Sequence, residues 1–244
     1  MNTISVNIES VRARIAAACQ AAGRPSSEVT LLAVSKTFGP EAVREAAACG
    51  QRAFGENYLQ EAIDKMAALG EAGQTLQWHC IGPIQSNKTR WVAEHFDWAH
   101  TVDRLKIAQR LSEQRPPGRP PLNVCIQVNI DGGPNKAGVP PEQALQLARD
   151  VAPLPGLALR GLMTIPEPAP DYAAQRALHE RARALLEQLR ADRVLNDLLR
   201  AQGRTLDTLS MGMTADLEAA IAAGSTMVRV GTAIFGGRTA KIAG

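Results

Sequence analysis

A lysine at the end of an apolar run is the residue in this chain whose type and place best suit chemistry. Lys36 closes the segment LLAVSK at 31 to 36. At the end of a buried strand with Leu32 and Val34 on its own face, it would point its ammonium into the top of a sheet. Burial disfavours the charged form, lowers the pKa and makes the amine nucleophilic toward an aldehyde or ketone. The competing reading is a rim lysine whose stem packs while its head reaches water. A second cluster falls late in the chain, where Ser210, Gly231 and Thr232 combine hydroxyls with the accessible N–H groups of turns. Those are donors a phosphate needs. The alternative is that Gly212, Gly224, Gly231, Gly236 and Gly237 serve only positive φ angles. Arg229 shares a strand with Gly231 and has inward parity, where its fixed charge would donate to a ring nitrogen or pair with Glu218 or Asp216.

Other chemistries find little support. His79, His95, His100 and His179 lack ligand spacing, so no metal site is expected. Cysteines at 19, 49, 80 and 125 form no close pairs and read as reduced packing thiols. A net charge of +3 spread along the chain, with 4% aromatic residues, gives no footprint for nucleic acid. No apolar run approaches the ~20 residues of a membrane span, and the N-terminus MNTISVNIESVRARI has no secretory pattern. A cytoplasmic protein is expected, without membrane or nucleic-acid partners.

The elements that must position these residues alternate. Ile4, Ile8, Val11, Ile15 and Ala18 recur at helical spacing and predict an amphipathic helix over 3–22, closed by Gly23 and Pro25. Then come eight apolar strand candidates: TLLAVS, AFGEN, LQWHCIGP, WAHTVD, LNVCIQVNI, LALRGLMTIP, TLDTLSMG and TMVRVGTAIFG. Nearly every one is followed by a helical segment, such as those from Pro40, Leu59, Asn87, Leu105 and Pro141. Strands rich in Val, Ile and Leu without a polar face suit a parallel sheet covered on both sides. Eight such units in 244 residues predict an α/β fold, a (β/α)8 barrel of the TIM type with an extra N-terminal helix, as one domain over 1–244. A doubly wound sheet usually shows a Gly-rich first turn, and here that turn is SKTFGP. In a barrel the chemistry sits at the C-terminal strand ends. There fall Lys36, Glu56, Asn57, Asp103, Asn129, Lys136, Ser210, Gly231 and Thr232.

With these residues in place, the chain resembles the pyridoxal phosphate (PLP) homeostasis protein family, single barrels related to the N-terminal domain of alanine racemase. The resemblance covers almost the whole chain. It rests on LLAVSKT, FGENYLQEA, WHCIGPIQSNKTR, NKAG, RGLMTIP, SMGMTADLEAAI and MVRVGTAIFGGR, in that order. It implies PLP held as a Schiff base on Lys36, its phosphate on Ser210, Gly231 and Thr232, and Arg229 facing the pyridine nitrogen. Asn57, His79 and Met211 are implied to line the pocket. Three departures stand out: Thr214 for a commoner serine, Phe38-Gly39 for a lysine-containing turn, and Asn135 where serine is frequent.

An arginine at the ring nitrogen keeps it unprotonated and weakens PLP as an electron sink. Racemases of this fold add a tyrosine base from a following β domain, whereas this chain ends at Gly244 and holds only Tyr58 and Tyr172. The resemblance therefore implies a cofactor binder serving vitamin B6 homeostasis, with PLP-dependent apoenzymes as recipients and a monomer or weak dimer as its state. The alternatives are a weak PLP-dependent amino-acid racemase, another PLP enzyme, or a Schiff-base aldolase for a sugar phosphate.

Overall fold

The computed structural model describes residues 3–133 and 136–237. Its eight strands, all parallel, close into a barrel in sequence order, with β1 (Thr30–Val34) pairing both β2 (Ala53–Glu56) and β8 (Met227–Val230). Between them run β3 (Gln77–Cys80), β4 (Trp98–Val102), β5 (Leu122–Val128), β6 (Leu157–Thr164) and β7 (Thr208–Ser210). Helix α1 (Thr3–Ala21) precedes the barrel, and α2 (Pro40–Ala48), α3 (Leu59–Leu69) and the one-turn α4 (Glu71–Gln74) follow the first two strands. The outer layer continues with α5 (Thr89–His95), α6 (Leu105–Gln114), α7 (Pro141–Val151), α8 (Tyr172–Ala191), α9 (Arg193–Arg200), α10 (Leu217–Ala222) and α11 (Thr232–Phe235). The expected (β/α)8 architecture is present.

The sequence pattern explains the layers. Strand residues alternate between the barrel interior and the helix-covered face. Leu32, Ala53, Trp98, Cys125, Met163 and Met227 form a small separate apolar cluster, whereas Phe54, Trp78, Val92, Leu111, Leu159 and their neighbours build the larger one that includes the helices. Each fully buried large apolar side chain contributes ~1.5–3 kcal/mol, so most of the stability resides in the helix–sheet layer. The strand ends at the mouth are thereby left to polar residues.

Local signals act as read. Pro40 occupies the first turn of α2, and Gly50, at φ 79°, ends that helix. Helix α1 buries Ile8, Val11, Ile15 and Ala18 and stops before Gly23 at φ 65°. It braces the last two helices, since Asn7 Nδ2 donates to Ile234 O at 2.8 Å and Arg14 forks onto Glu218 at 2.8 and 3.0 Å. The helix expected from Asn87 opens as a 3₁₀ turn, Ser86–Lys88, before α5 begins at Thr89. No helix among the described residues is long and apolar enough to cross a membrane.

Candidate functional site

The mouth of the barrel is assembled from both ends of the chain. Leu32, in the interior cluster, is in register with Arg229 on β8. Half-buried Lys36 lies two residues beyond the end of β1. Gly231 is the next inward position above Arg229, and a Cβ there would stand 3.1 Å from Val34 O. Its φ is −115°, so close approach rather than a positive φ demands glycine at 231. Positive φ belongs instead to Gly212, Gly224 and Gly236. Next to it, Thr232 Oγ1 donates to Thr214 Oγ1 at 3.3 Å, which brings two hydroxyls and the backbone of the 231–232 turn to one spot on the rim.

Ser210 is elsewhere. It is fully buried, and its Oγ accepts from Arg229 Nη1 at 2.8 Å and lies 3.0 Å from His100 Nδ1. The chain continues from His100 Nε2 to His79 Nδ1 at 2.9 Å and from His79 Nε2 to Gln77 Oε1 at 3.0 Å. The proton order follows from its ends. The amide oxygen of Gln77 only accepts, so His79 Nε2 carries hydrogen and His79 Nδ1 accepts from His100 Nε2. His100 Nδ1 then accepts the Ser210 hydroxyl, leaving that oxygen to receive the Arg229 N–H. Both rings are neutral in this order. Burial pushes the His79 pKa down to about 3, and burial, His79 and Arg229 together push that of His100 well below its usual value. The Ser210 hydroxyl is thus engaged inside the barrel, between Arg229 and His100, and the hydroxyls paired on the rim are those of Thr214 and Thr232.

Arg229 is fixed by neutral acceptors, Ser210 Oγ and Thr164 O at 2.9 Å. The two carboxylates offered by the sequence are engaged with other groups, Glu218 with Arg14 and Asp216 with His179 Nε2 at 2.9 Å. Burial lowers the Arg229 pKa to about 10, with Asp216 opposing from a distance. The guanidinium thus stays charged at neutral pH and holds N–H donors beyond the two bonds that fix it. Burial works against the Asp216 carboxylate, yet His179 and the Met213 N–H hold its pKa below the ordinary value. That same 2.6 Å bond from Met213 N fixes the loop that presents Thr214.

The remaining expected residues divide. Asn57 is half-buried at the rim, with Oδ1 unpartnered, and lines an open cavity of about 580 Å³ with Tyr58, Lys88 and Trp91. His79 is fully buried between His100 and Gln77. Ser210 faces inward, strand alternation turns its neighbour outward, and Met211 is fully buried in the helix–sheet cluster. Asn129 caps its own loop through Gly132 N and Gly133 O, and Lys136 ties Asp131 and Glu167 across two loops. Asn135 lies outside the described residues. Cys80 and Cys125 are buried, which pushes both thiols up to about 12 and leaves them inert.

Three supporting groups stand outside the residues expected at the site. His100 shares inward parity with Trp98 on β4, and its place beside His79 was available from that alternation. Glu61 and Lys65, one turn apart on α3, resemble a surface ion pair. The structure instead buries Lys65 against Glu56 at 2.6 Å. Burial pushes the Glu56 pKa up even against the neighbouring ammonium.

The fold is a (β/α)8 barrel with polar residues gathered at its mouth, and the comparisons agree on the fold: alanine racemase, N-terminal domain, matches residues 6–239. The pyridoxal phosphate homeostasis protein of Pseudomonas aeruginosa is 59% identical over 238 residues, covering 98% of this chain and 97% of that protein. Its Escherichia coli K12 counterpart is 53% identical over 239 residues, 98% of each chain. The chain belongs to the pyridoxal phosphate homeostasis protein family. Among solved structures, PipY of Synechococcus elongatus with PLP bound superposes with a TM-score of 0.80 at 37% identity, covering 96% of this chain and all of that one. Alanine racemase of Clostridium difficile shares the fold, with a TM-score of 0.65 at 15% identity, and this chain spans 58% of it.

Proposed function

We propose that this chain binds pyridoxal 5'-phosphate as a Schiff base on Lys36 and serves vitamin B6 homeostasis in the cytoplasm, with PLP-dependent apoenzymes as recipients. The observation that carries the reading is one mouth holding three complementary donors: the strand-end lysine, a buried arginine bonded among the described residues to neutral acceptors, and the Thr214–Thr232 hydroxyl pair. They match the aldehyde, the ring nitrogen and the phosphate of the cofactor. The unpartnered Asn57 Oδ1 supplies a further polar atom at the rim.

When bound, PLP supplies an aldehyde that condenses with amines and a ring that withdraws electrons. Thr214, Thr232 and the backbone of the 231–232 turn hold the phosphate. Gly231 lets it approach, since any side chain there would crowd Val34. Arg229 donates to the ring nitrogen and, remaining protonated, keeps that nitrogen an acceptor. Ser210 and the two histidines hold the guanidinium in place rather than contacting the phosphate. Such a site retains the cofactor without strengthening it as an electron sink, which favours a carrier over a racemase.

Borohydride reduction of the PLP-loaded protein, followed by peptide mass measurement, tests the reading. The expected result is a pyridoxyl label on Lys36 and a visible absorption band that Lys36→Ala lacks or shows far more weakly. Absence of the band from loaded wild type, or a label confined to other lysines, overturns it.

A further inference from the structure

The turn that carries Lys36 is strained, and α3 braces it. Phe38 N–H donates to Ser35 O at 3.1 Å, closing a β-turn with Lys36 and Thr37 at its centre. Thr37 has a φ of 70° and is the one described residue other than glycine with positive φ. A turn of this kind favours glycine in that place, and a β-branched side chain is especially ill suited to it.

Four buried or half-buried groups oppose the strain. The Thr37 N–H donates to Glu61 Oε1 at 2.6 Å, and Lys65 Nζ donates to Ser35 O at 2.9 Å. Ser35 Oγ donates to Glu56 Oε1 at 2.6 Å. Lys65, 3% exposed, also reaches Glu56 Oε1 at 2.6 Å and Glu61 Oε1 at 3.2 Å. Its three N–H donors therefore meet three acceptors. Glu61 and Lys65 share one face of α3, so the helix grips the backbone on both sides of Lys36. A cation holds the carbonyl before it, and an anion holds the amide after it.

We propose that Glu61 and Lys65 are positioning residues that, with Glu56 and Ser35, keep Thr37 left-handed and thereby aim Lys36 into the barrel mouth. This rests on Lys36 being the cofactor lysine. Capture requires Lys36 Nζ to attack the aldehyde carbon, so that a C=N bond replaces C=O and water leaves. Without Glu61, Thr37 relaxes toward negative φ and the lysine loses its direction, while the phosphate contacts of Thr214 and Thr232 persist. Glycine at 37 adopts positive φ without penalty and removes the need for the brace.

The test follows the visible band as PLP is added to cofactor-free protein, with borohydride mapping of Lys36 and a thermal melt for each variant. Glu61→Ala slows capture by about tenfold, the scale that backbone strain of this kind sets. Glu61→Gln, which keeps an acceptor for the Thr37 amide, captures at nearly the wild-type rate. Adding Thr37→Gly to Glu61→Ala restores most of the lost rate, a rescue that a purely structural role for Glu61 does not predict. Capture by Glu61→Ala at the wild-type rate, or a double variant as slow as the single one, overturns the proposal. Should Glu61→Ala not fold, Thr37→Gly alone decides. Relief of strain raises its Tm at unchanged capture rate, and a lowered Tm counts against the brace. Failure of the Lys36 reading is seen separately, as wild type without band or label.

Discussion

Two arginines stand toward opposite ends of the barrel and are treated in opposite ways. Arg160, toward the N-terminal end, forks onto Asp207 at 2.9 and 2.5 Å, donates to Asn123 Oδ1 at 2.8 Å and lies 5.0 Å from the Trp98 ring centre. Arg229, at the C-terminal end, is buried deeper yet among the described residues has only a hydroxyl and a carbonyl as bonded partners. A buried charge without a bonded counter-charge costs the fold stability. The lower arginine is matched for stability, whereas the upper one is held rigid with its charge available. That contrast marks the functional end more sharply than residue type does, since both are arginines on strands of one barrel, β6 and β8, with β7 between them.

Replacing each arginine by methionine sharpens the comparison. Arg229→Met removes a buried charge, so the cofactor-free protein keeps its Tm or gains a little, while the Kd for PLP rises by about 10- to 100-fold, the value of a hydrogen bond to a charged group. Arg160→Met does the reverse. It lowers Tm by roughly 2–4 °C, about 1 kcal/mol for a partly exposed ion pair in a chain of this size, and leaves PLP affinity unchanged. Melts with and without PLP, joined to binding titrations, check both. Equal loss of affinity in the two variants would remove the distinction between the ends.

The upper arginine also rests on neutral histidines, which makes its end acid-sensitive. His79 has a pKa near 3 in the folded protein, and His100 is likewise depressed, against ~6.5 in an unfolded chain. Between these values the unfolded state binds more protons. The stability is therefore fully present above pH ~6.5 and falls as the pH drops, by up to ~1.4 kcal/mol per unit for each histidine. Tm measured from pH 7.5 to 4.5 should fall more steeply in wild type than in His100→Phe. That variant starts lower by about 1–3 kcal/mol because Ser210 and His79 lose a partner. Parallel slopes would place the acid sensitivity elsewhere.

What the sequence revealed and concealed follows from the range of its signals. Strand alternation has a period of two, so Arg229 could be aimed inward from its neighbours alone. The same rule, applied one residue on, turns Met211 outward once Ser210 faces in. Loop length carries no such rule. A hydroxyl at the strand end and one four residues later compete equally for a phosphate, and only the fold, through the Asp216 bond to Met213, brings Thr214 rather than Ser210 to Thr232. Glu61 and Lys65 have the spacing of an ordinary exposed pair. The burial of Lys65 and the contacts of both depend on how α3 docks against the turn after β1, a long-range fact with no local trace.

Thr214→Val makes the smallest and most specific test of the proposed phosphate end. Valine keeps the shape of threonine and removes the hydroxyl, and Thr214 is only half-buried, so the melt of the cofactor-free protein should barely move. One lost hydrogen bond to an anion weakens PLP binding by about tenfold or somewhat less. Ser210→Ala acts differently, since its hydroxyl links Arg229 to His100 and lies away from the rim. It lowers stability by about 1–3 kcal/mol through unsatisfied buried partners, and it reaches the cofactor only through Arg229. Inorganic phosphate, which has no ring, separates the two: competition by phosphate weakens in Thr214→Val and is unchanged in Ser210→Ala. The opposite pattern would return the phosphate to Ser210 and leave Thr214 a loop residue.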